Sequence, residues 1–242
     1  MTYTARPQRG FTLIELLVVV AIIAALVAML LPTLGRAKQL TRETLCLARL
    51  AVLVRSVHCY ANDNDGFLPV GPDTPMPPPM PPMPYRTIAT NQLWIAAEQA
   101  PNGCGRLSDQ EVRNEKAFFC PGDDSTDPVE ELRKLVAHGQ TDAYGSYLYR
   151  QLDQDEAARI ETLGKNSLGE PARVLWLDLN SDMPYSPVRT NHRGKKVNMA
   201  FLDGHARATG NEQQQFSLRP QDVMNPFARL DEILQQADRM GE

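Results

Sequence analysis

The sequence lacks the short motifs by which many enzymes and cofactor-binding proteins are recognised. It has no Gly-rich phosphate loop, no nucleophile–base set and no complete metal-binding motif. It has only 4 cysteines, and no two of them form a Cys-x-x-Cys pair. These absences argue against a zinc site and predict a protein that is not an enzyme.

The sequence also lacks the basic character of a nucleic-acid-binding protein, since its formal net charge is −4. Residues 1–60 carry seven Arg or Lys against Glu15 and Glu43, which leaves 18 basic and 27 acidic residues in the rest of the chain. A basic N-terminal part followed by an acidic remainder predicts no nucleic-acid partner. It is also a charge pattern through which neighbouring copies would attract one another.

One apolar run is long enough to cross a membrane. It extends over the 21 residues from Phe11 to Leu31, and Glu15 is its one charged residue. As a helix, this run would span about 30 Å. A carboxylate in such a run is costly and marks a functional residue. No small-x-small cleavage site follows the run, which argues against an ordinary secretory signal peptide.

The run from Gly10 to Glu15 resembles the class III signal of type IV prepilins and type II secretion pseudopilins. The resemblance implies that prepilin peptidase cleaves between Gly10 and Phe11 and methylates the new amino group of Phe11. It identifies Glu15 as the assembly determinant, and Pro32 lies where such proteins carry a helix-bending proline. The alternative from the residues alone is an ordinary signal peptide or a membrane anchor with an isolated Glu.

The resemblance implies a protein of the inner membrane with one span and a C-terminal head in the periplasm, or at the cell surface in a pilus. Its implied partners are prepilin peptidase, the lipid bilayer, other pilin or pseudopilin subunits and the inner-membrane assembly platform. The predicted organisation is a leader at 1–10, a transmembrane half-helix at 11–31, an amphipathic stem at 32–61 and a head at 62–242.

The stem is predicted as a continuation of the membrane helix. Its apolar residues recur at helical spacing, and they are Leu40, Leu47, Ala51, Val54, Val57 and Ala61. The turn residues from Asn62 to Gly66 should end the helix. Residues 69–84 then hold nine of the 19 prolines and predict an extended surface loop rich in Pro and Met.

The head is predicted to be α+β, with the long helix packed on a small antiparallel sheet. We expect helices over 92–100, 128–137 and 225–240, and strands over 117–121, 145–149 and 173–178. Residues 197–208 predict a β-hairpin, in which Asp203-Gly204 supplies the tight turn.

A second resemblance is to a prepilin-like family with a His-x9-Asp-Gly signature, common in planctomycete-type bacteria. Cys46, the Ala61 to Gly66 stop, the Phe118 to Pro121 run and His192 match its pattern. Ten residues rather than nine separate His192 from Asp203, which weakens a paired role for those two. The resemblance favours a disulfide between Cys46 and Cys120, and free buried thiols are the alternative.

Two groups of residues are candidates for binding or catalysis. Some pseudopilins hold calcium in a head loop, and this resemblance points to Asp123, Asp124 and Asp127, for which a solvated acidic loop is the alternative. The residue types of His192, Asp203 and His205 allow metal binding or acid–base chemistry. For Asp203 a turn role is the alternative, and no cofactor is otherwise expected.

Two functions of different classes follow. The first is a structural pseudopilin or minor pilin subunit of a type II secretion or type IV pilus-like filament. The second is a membrane-tethered periplasmic binding module that uses the prepilin signal only for export. Its head would recognise a ligand through the 69–84 loop and the His192–His205 region.

Overall fold

The computed structural model describes three α-helices, several short 3-10 helices and one antiparallel sheet. The described residues are 12–76, 89–108, 112, 114–123, 125, 127–137, 139–151, 159–161, 163–182 and 190–241. Gly10, Phe11, Asp124 and residues 77–84 of the proline-rich loop lie outside them. The elements are α1 (Leu13–Asp63), β1 (Thr90–Ile95), β2 (Ala100–Pro101), α2 (Pro128–Ala137), β3 (Ala143–Tyr149), β4 (Val174–Asp178), β5 (Lys196–Phe201), β6 (Ala206–Gly210) and α3 (Pro226–Asp238).

Helix α1 is continuous over 51 residues and contains Pro32. A proline inside a helix removes one backbone donor, but the Leu- and Ala-rich segments on both sides favour helix strongly. The helix ends in the predicted turn, where Gly66, with φ of +83°, donates its N–H to the carbonyl of Ala61 at 2.7 Å. The long N-terminal helix predicted from the sequence is thus confirmed.

The chain divides into two units, Met1–Thr41 and Arg42–Glu242. In the first unit every described residue is exposed, which includes the whole apolar part of α1. This helix is long and apolar enough to cross a membrane by its length and composition, with a mean hydropathy of 3.0 over its most apolar 18-residue window. An apolar surface of this size has to be covered by lipid or by protein.

In the second unit, α1 buries one face in the head. The buried residues recur at spacings of three and four, and they are Glu43, Cys46, Leu50, Leu53, Val54, Ser56, Val57 and Ala61. Val54, Val57 and Ala61 were predicted for this face. Leu40, which was also predicted, is 64% exposed, so the apolar face begins one turn later and is rotated toward Cys46 and Leu50.

The six strands form one antiparallel sheet in the order β2-β1-β3-β4-β5-β6. The predicted strands at 145–149 and 173–178 correspond to β3 and β4, and the predicted hairpin is β5–β6. Helix α2 has the predicted bounds, and α3 begins after Asn225, whose side chain accepts the N–H of Ala228 at 3.2 Å. The α+β class is confirmed.

Two local predictions were wrong. The segment 92–100 is not a helix, because Leu93, Trp94 and Ile95 lie in β1 and Gln99, with φ of +48°, turns the chain into β2. The segment 117–121 is not a strand. Its first two residues lie in a short 3-10 helix at Glu115–Phe118, and its aromatic residues are buried without a strand partner.

The sheet is covered on both faces. One face packs against α1 through Tyr147, Tyr149 and Trp176, and the rings of Tyr149 and Trp176 lie 4.7 Å apart. The other face packs against α3, with Val197 and Met199 among its residues. Burial on both faces explains why β3 and β4 read as almost continuous apolar runs.

Candidate functional site

At the start of α1, Glu15 and Thr12 form a capping box. Thr12 donates its backbone N–H and its hydroxyl to Glu15 Oε2 at 2.8 and 2.9 Å, and the N–H of Glu15 donates to Thr12 Oγ1 at 3.3 Å. Both side chains are exposed. The carboxylate predicted to direct assembly therefore also caps its own helix. The predicted cleavage site, Gly10 and Phe11, lies outside the described residues.

The head holds a second site, in which three residues singled out from the sequence meet Asp178, which was not. Cys46, Cys120, Asp178 and His192 are all buried, and one ligand atom from each lies within 4.8 Å of the other three. We call these four residues the buried ligand cluster. The cluster joins residues far apart in the chain, since Cys46 and Asp178 are separated by 132 positions and Cys120 and His192 by 72.

Four different segments supply the buried ligand cluster. Cys46 lies on the buried face of α1, Cys120 follows the 3-10 helix, Asp178 ends β4 and His192 begins a turn before β5. His192 has a positive φ of +50°, a costly conformation for a non-glycine residue. Its ring packs on Gly122 so closely that a Cβ at Gly122 would lie 2.5 Å from His192 Nδ1.

Direct contacts connect the cluster. Cys46 Sγ lies 3.4 Å from Asp178 Oδ1, Cys120 Sγ lies 3.2 Å from His192 Nε2, and His192 Nε2 lies 3.7 Å from Asp178 Oδ2. All four cysteines of the chain are free thiols, with Cys104 buried elsewhere and Cys59 exposed. The structure thus brings the predicted pair, Cys46 and Cys120, together. Their disulfide stays a prediction.

A shell of polar groups surrounds the cluster. Asn198 donates its backbone N–H and its side-chain amide to Asp178 Oδ2 at 2.8 and 2.9 Å, and the same amide lies 2.8 Å from His192 Nε2. Asn191 donates to Asp178 Oδ1 at 3.3 Å, and the hydroxyl of Tyr147 lies 3.3 Å from Cys46 Sγ. The side-chain oxygens of Asn191 and Asn198 are buried without a hydrogen-bond partner.

Burial controls the ionisation of the cluster. Burial raises the pKa of Asp178 to about 7, although hydrogen bonds from Asn198 oppose the change. It also raises the pKa of both thiols and lowers the pKa of His192. No Lys or Arg among the described residues forms an ion pair with Asp178. The cluster therefore collects acidic ligand groups without a cation to balance their charged forms.

Asp203 and His205, the two residues predicted to act with His192, do not belong to the buried ligand cluster. Asp203 and His205 pair with each other at the exposed β5–β6 tip, where Asp203 Oδ1 lies 2.5 Å from His205 Nδ1. The ring of His205 stacks on Phe201 at 4.2 Å. These residues and His58 line a surface cavity of about 360 Å³.

The described acidic candidates for calcium have local roles. Asp123 accepts hydrogen bonds from Ser125 and from the hydroxyl of Ser146, at 2.6 Å for the latter. Asp127 accepts the N–H of Val129 at 2.9 Å and so caps α2. Within the described residues, Asp123 and Asp127 do not form a group of metal ligands.

Sequence reasoning missed Asp178 and Asn198. The signal for Asp178 was present, because an acidic residue directly follows the apolar run from Val174 to Leu177. A charged residue at the end of a buried strand is rare without a partner. Nothing in the sequence showed that this partner would be a pair of thiols and an imidazole.

The fold and the N-terminal segment define a pilin-like protein with an N-terminal helix suited to membrane anchoring. Residues 5–31 match the family model described as the prokaryotic N-terminal methylation motif, which confirms the resemblance seen at Gly10 to Glu15.

The chain is 44% identical over 62 residues to the type IV wide pilus major component PilA4 of Thermus thermophilus. The match covers 26% of this chain and 47% of that pilin, so it spans about half of the relative's length. No solved structure matches the chain.

Proposed function

We propose that this chain is a structural pseudopilin or minor pilin subunit that prepilin peptidase processes and N-methylates. The observation that carries the proposal is the methylation motif at residues 5–31, followed by a helix half whose described side chains are all exposed. Membrane lipid would cover this apolar surface before assembly, and neighbouring helices would cover it in a filament. The filament in this proposal is a type II secretion filament or a type IV pilus-like filament.

Glu15 supplies the register of assembly in this proposal. Cleavage after Gly10 would leave a cationic amine on Phe11, four residues before Glu15. Within the described part of the chain, Glu15 accepts hydrogen bonds from Thr12 and forms no ion pair. In a filament, the amine of one subunit would pair with Glu15 of its neighbour, and a buried charge pair of this kind fixes how two helices align.

The capping box allows this role to be separated from helix capping. Glu15→Gln keeps a side chain that can complete the box but removes the charge, whereas Thr12→Ala removes both hydrogen bonds of the Thr12 hydroxyl and keeps the charge. In the native host, we expect Glu15→Gln to be processed but absent from filaments, and Thr12→Ala to be incorporated. Normal incorporation of Glu15→Gln would refute the charge-pairing role.

The alternative is a membrane-tethered binding module, and the cavity beside His205 and His58 is the observation that favours it. Cross-linking in native membranes distinguishes the two functions. A cysteine introduced at the exposed Ala21 should give adducts between copies or with other pilins if the chain forms filaments. Gly10→Leu, which should block cleavage, is the control in which these adducts should be lost. A chain that stays monomeric in both forms would support the tether.

A further inference from the structure

We propose that Cys46, Cys120, Asp178 and His192 form a buried, tetrahedral site for a divalent transition metal, with zinc as the ion that fits best. This inference concerns the head alone and goes beyond the proposed role in a filament. It replaces the prediction from the sequence that a zinc site is absent, because the fold unites ligands that the sequence scatters.

The distances suit a tetrahedral ion. Zinc binds Cys sulfur at about 2.3 Å and His nitrogen or Asp oxygen at about 2.0–2.2 Å, so ligand atoms of one zinc ion lie about 3.3–3.8 Å apart. The contacts of 3.4 Å (Cys46 Sγ to Asp178 Oδ1) and 3.7 Å (His192 Nε2 to Asp178 Oδ2) lie within this range, and that of 3.2 Å (Cys120 Sγ to His192 Nε2) lies just below it. The first two involve different oxygens of Asp178, so only one of them would belong to a four-coordinate ion. Since all four ligand atoms lie within 4.8 Å, closure requires side-chain movements of about 1 Å or less.

The ligand types also favour zinc. Two thiols, one imidazole and one carboxylate are ligands that zinc accepts together, whereas magnesium and calcium prefer oxygen ligands alone. Four protein ligands fill a tetrahedral site, as expected for a structural ion rather than a catalytic one. The ion would join α1 to β4 and to the turns at Cys120 and His192.

The surrounding shell is suited to hold the ligands in place. Because the amide of Asn198 is a donor, His192 Nε2 must act as the acceptor of their 2.8 Å contact, so Nε2 is the unprotonated nitrogen of the ring. Binding an ion through Nε2 would replace this hydrogen bond from Asn198. Asn198 and Asn191 hold both oxygens of Asp178, and Tyr147 OH can donate to the thiolate of Cys46. Such outer contacts orient metal ligands and fix the tautomer of a ligating His.

A disulfide between Cys46 and Cys120 is the competing explanation of the two thiols. It accounts for the sulfur atoms but not for the convergence of Asp178 and His192 on them. A divalent ion accounts for all four residues, because it stabilises the thiolate and carboxylate forms that burial disfavours.

The first test is metal analysis of the full chain, purified from membranes in detergent without chelator. We expect one zinc ion per chain, and replacement by cobalt should give the visible absorption of a tetrahedral, thiolate-bound ion. Absence of zinc in the purified chain, together with failure of the chelator-treated chain to take up added zinc, would overturn the proposal.

Variants assign the ligands. Cys120→Ser and the nearly isosteric Asp178→Asn should each lose zinc, whereas Cys104→Ala, which removes a buried thiol outside the cluster, should retain it. Asn198→Ala should bind zinc about 10–100-fold more weakly. If Cys120→Ser does not fold, Asp178→Asn decides the matter. Full zinc content in folded Asp178→Asn, or equal loss in Cys104→Ala, would contradict the assignment.

The disulfide is tested on the same protein. The chain from its native host is denatured with chelator but without reductant, alkylated and analysed by mass spectrometry. We expect both Cys46 and Cys120 to be alkylated. A peptide pair linked through these two residues would show that the thiols form a disulfide and would overturn the metal site.

Discussion

Replacing Gly122 by alanine tests whether the close packing around His192 stabilises the head. An added Cβ would lie 2.5 Å from His192 Nδ1 and 2.6 Å from Cε1, whereas ordinary contacts begin near 3.4 Å. The φ of Gly122 is not positive, so alanine is compatible with the backbone and the effect is steric. The imidazole would have to move by about 0.9 Å, or the Gly122 turn by as much.

The imidazole has little room for this movement. Its Nε2 atom lies 3.2 Å from Cys120 Sγ and 2.8 Å from the amide nitrogen of Asn198. The backbone N–H of His192 also donates to the carbonyl of Gly122 at 3.0 Å. Overpacking of a filled site typically lowers the free energy of unfolding by about 1–3 kcal/mol. For a domain of this size, that corresponds to a fall in Tm of about 2–12 °C.

Gly139→Ala is the matched control. In the described part of the chain, no heavy atom beyond the chain neighbours lies within 4 Å of a Cβ at Gly139, and the φ of Gly139 is not positive. The Tm of Gly139→Ala should therefore stay close to that of the wild type. The assay is thermal unfolding of the full chain in detergent, followed by near-ultraviolet circular dichroism. Equal Tm values for Gly122→Ala and Gly139→Ala would refute the packing argument.

Two further predictions concern the stability of the head. Leu50 has no exposed surface, so Leu50→Ala should lower the free energy of unfolding by about 2–5 kcal/mol. Leu40 is exposed, and Leu40→Ala should change the free energy of unfolding by less than about 0.5 kcal/mol. Unfolding by denaturant measures both values. Asp238→Ala should cost about 3–5 kcal/mol, because it leaves Arg150, 2.7 Å away in the wild type, buried without its ion pair and also removes the acceptor of two backbone N–H groups, those of Arg173 and Val174. Adding Arg150→Met should recover the part of that loss that comes from the unpaired charge, and a double variant as unstable as the single one would contradict this explanation.

Local patterns in the sequence predicted much of the fold. The start of α2 follows from Asp127, which caps the helix, and from Pro128 in its first turn. The β5–β6 hairpin follows from alternating apolar residues before the Asp203-Gly204 turn. In each case the residues that decide the structure lie within one turn of the element itself.

The errors arise where distant contacts decide. Leu93 to Ile95 fits a helix or a strand by periodicity, and pairing with β3 makes it a strand. The face of α1 was predicted from apolar residues alone, so Cys46 was not included in it. The buried ligand cluster depends on contacts across 132 and 72 positions, which no local pattern contains.

The proposals for the N-terminal helix depend on one central claim, which is that the chain is processed as a prepilin and then assembles with other subunits. Mass spectrometry of the chain recovered from the native membrane or filament fraction examines this processing without a variant. We expect a chain that begins at Phe11, carries one added methyl group on its amine and lacks residues 1–10. A chain that retains Met1, or one cleaved beyond Leu31 as a secretory signal would be, would contradict the proposed function.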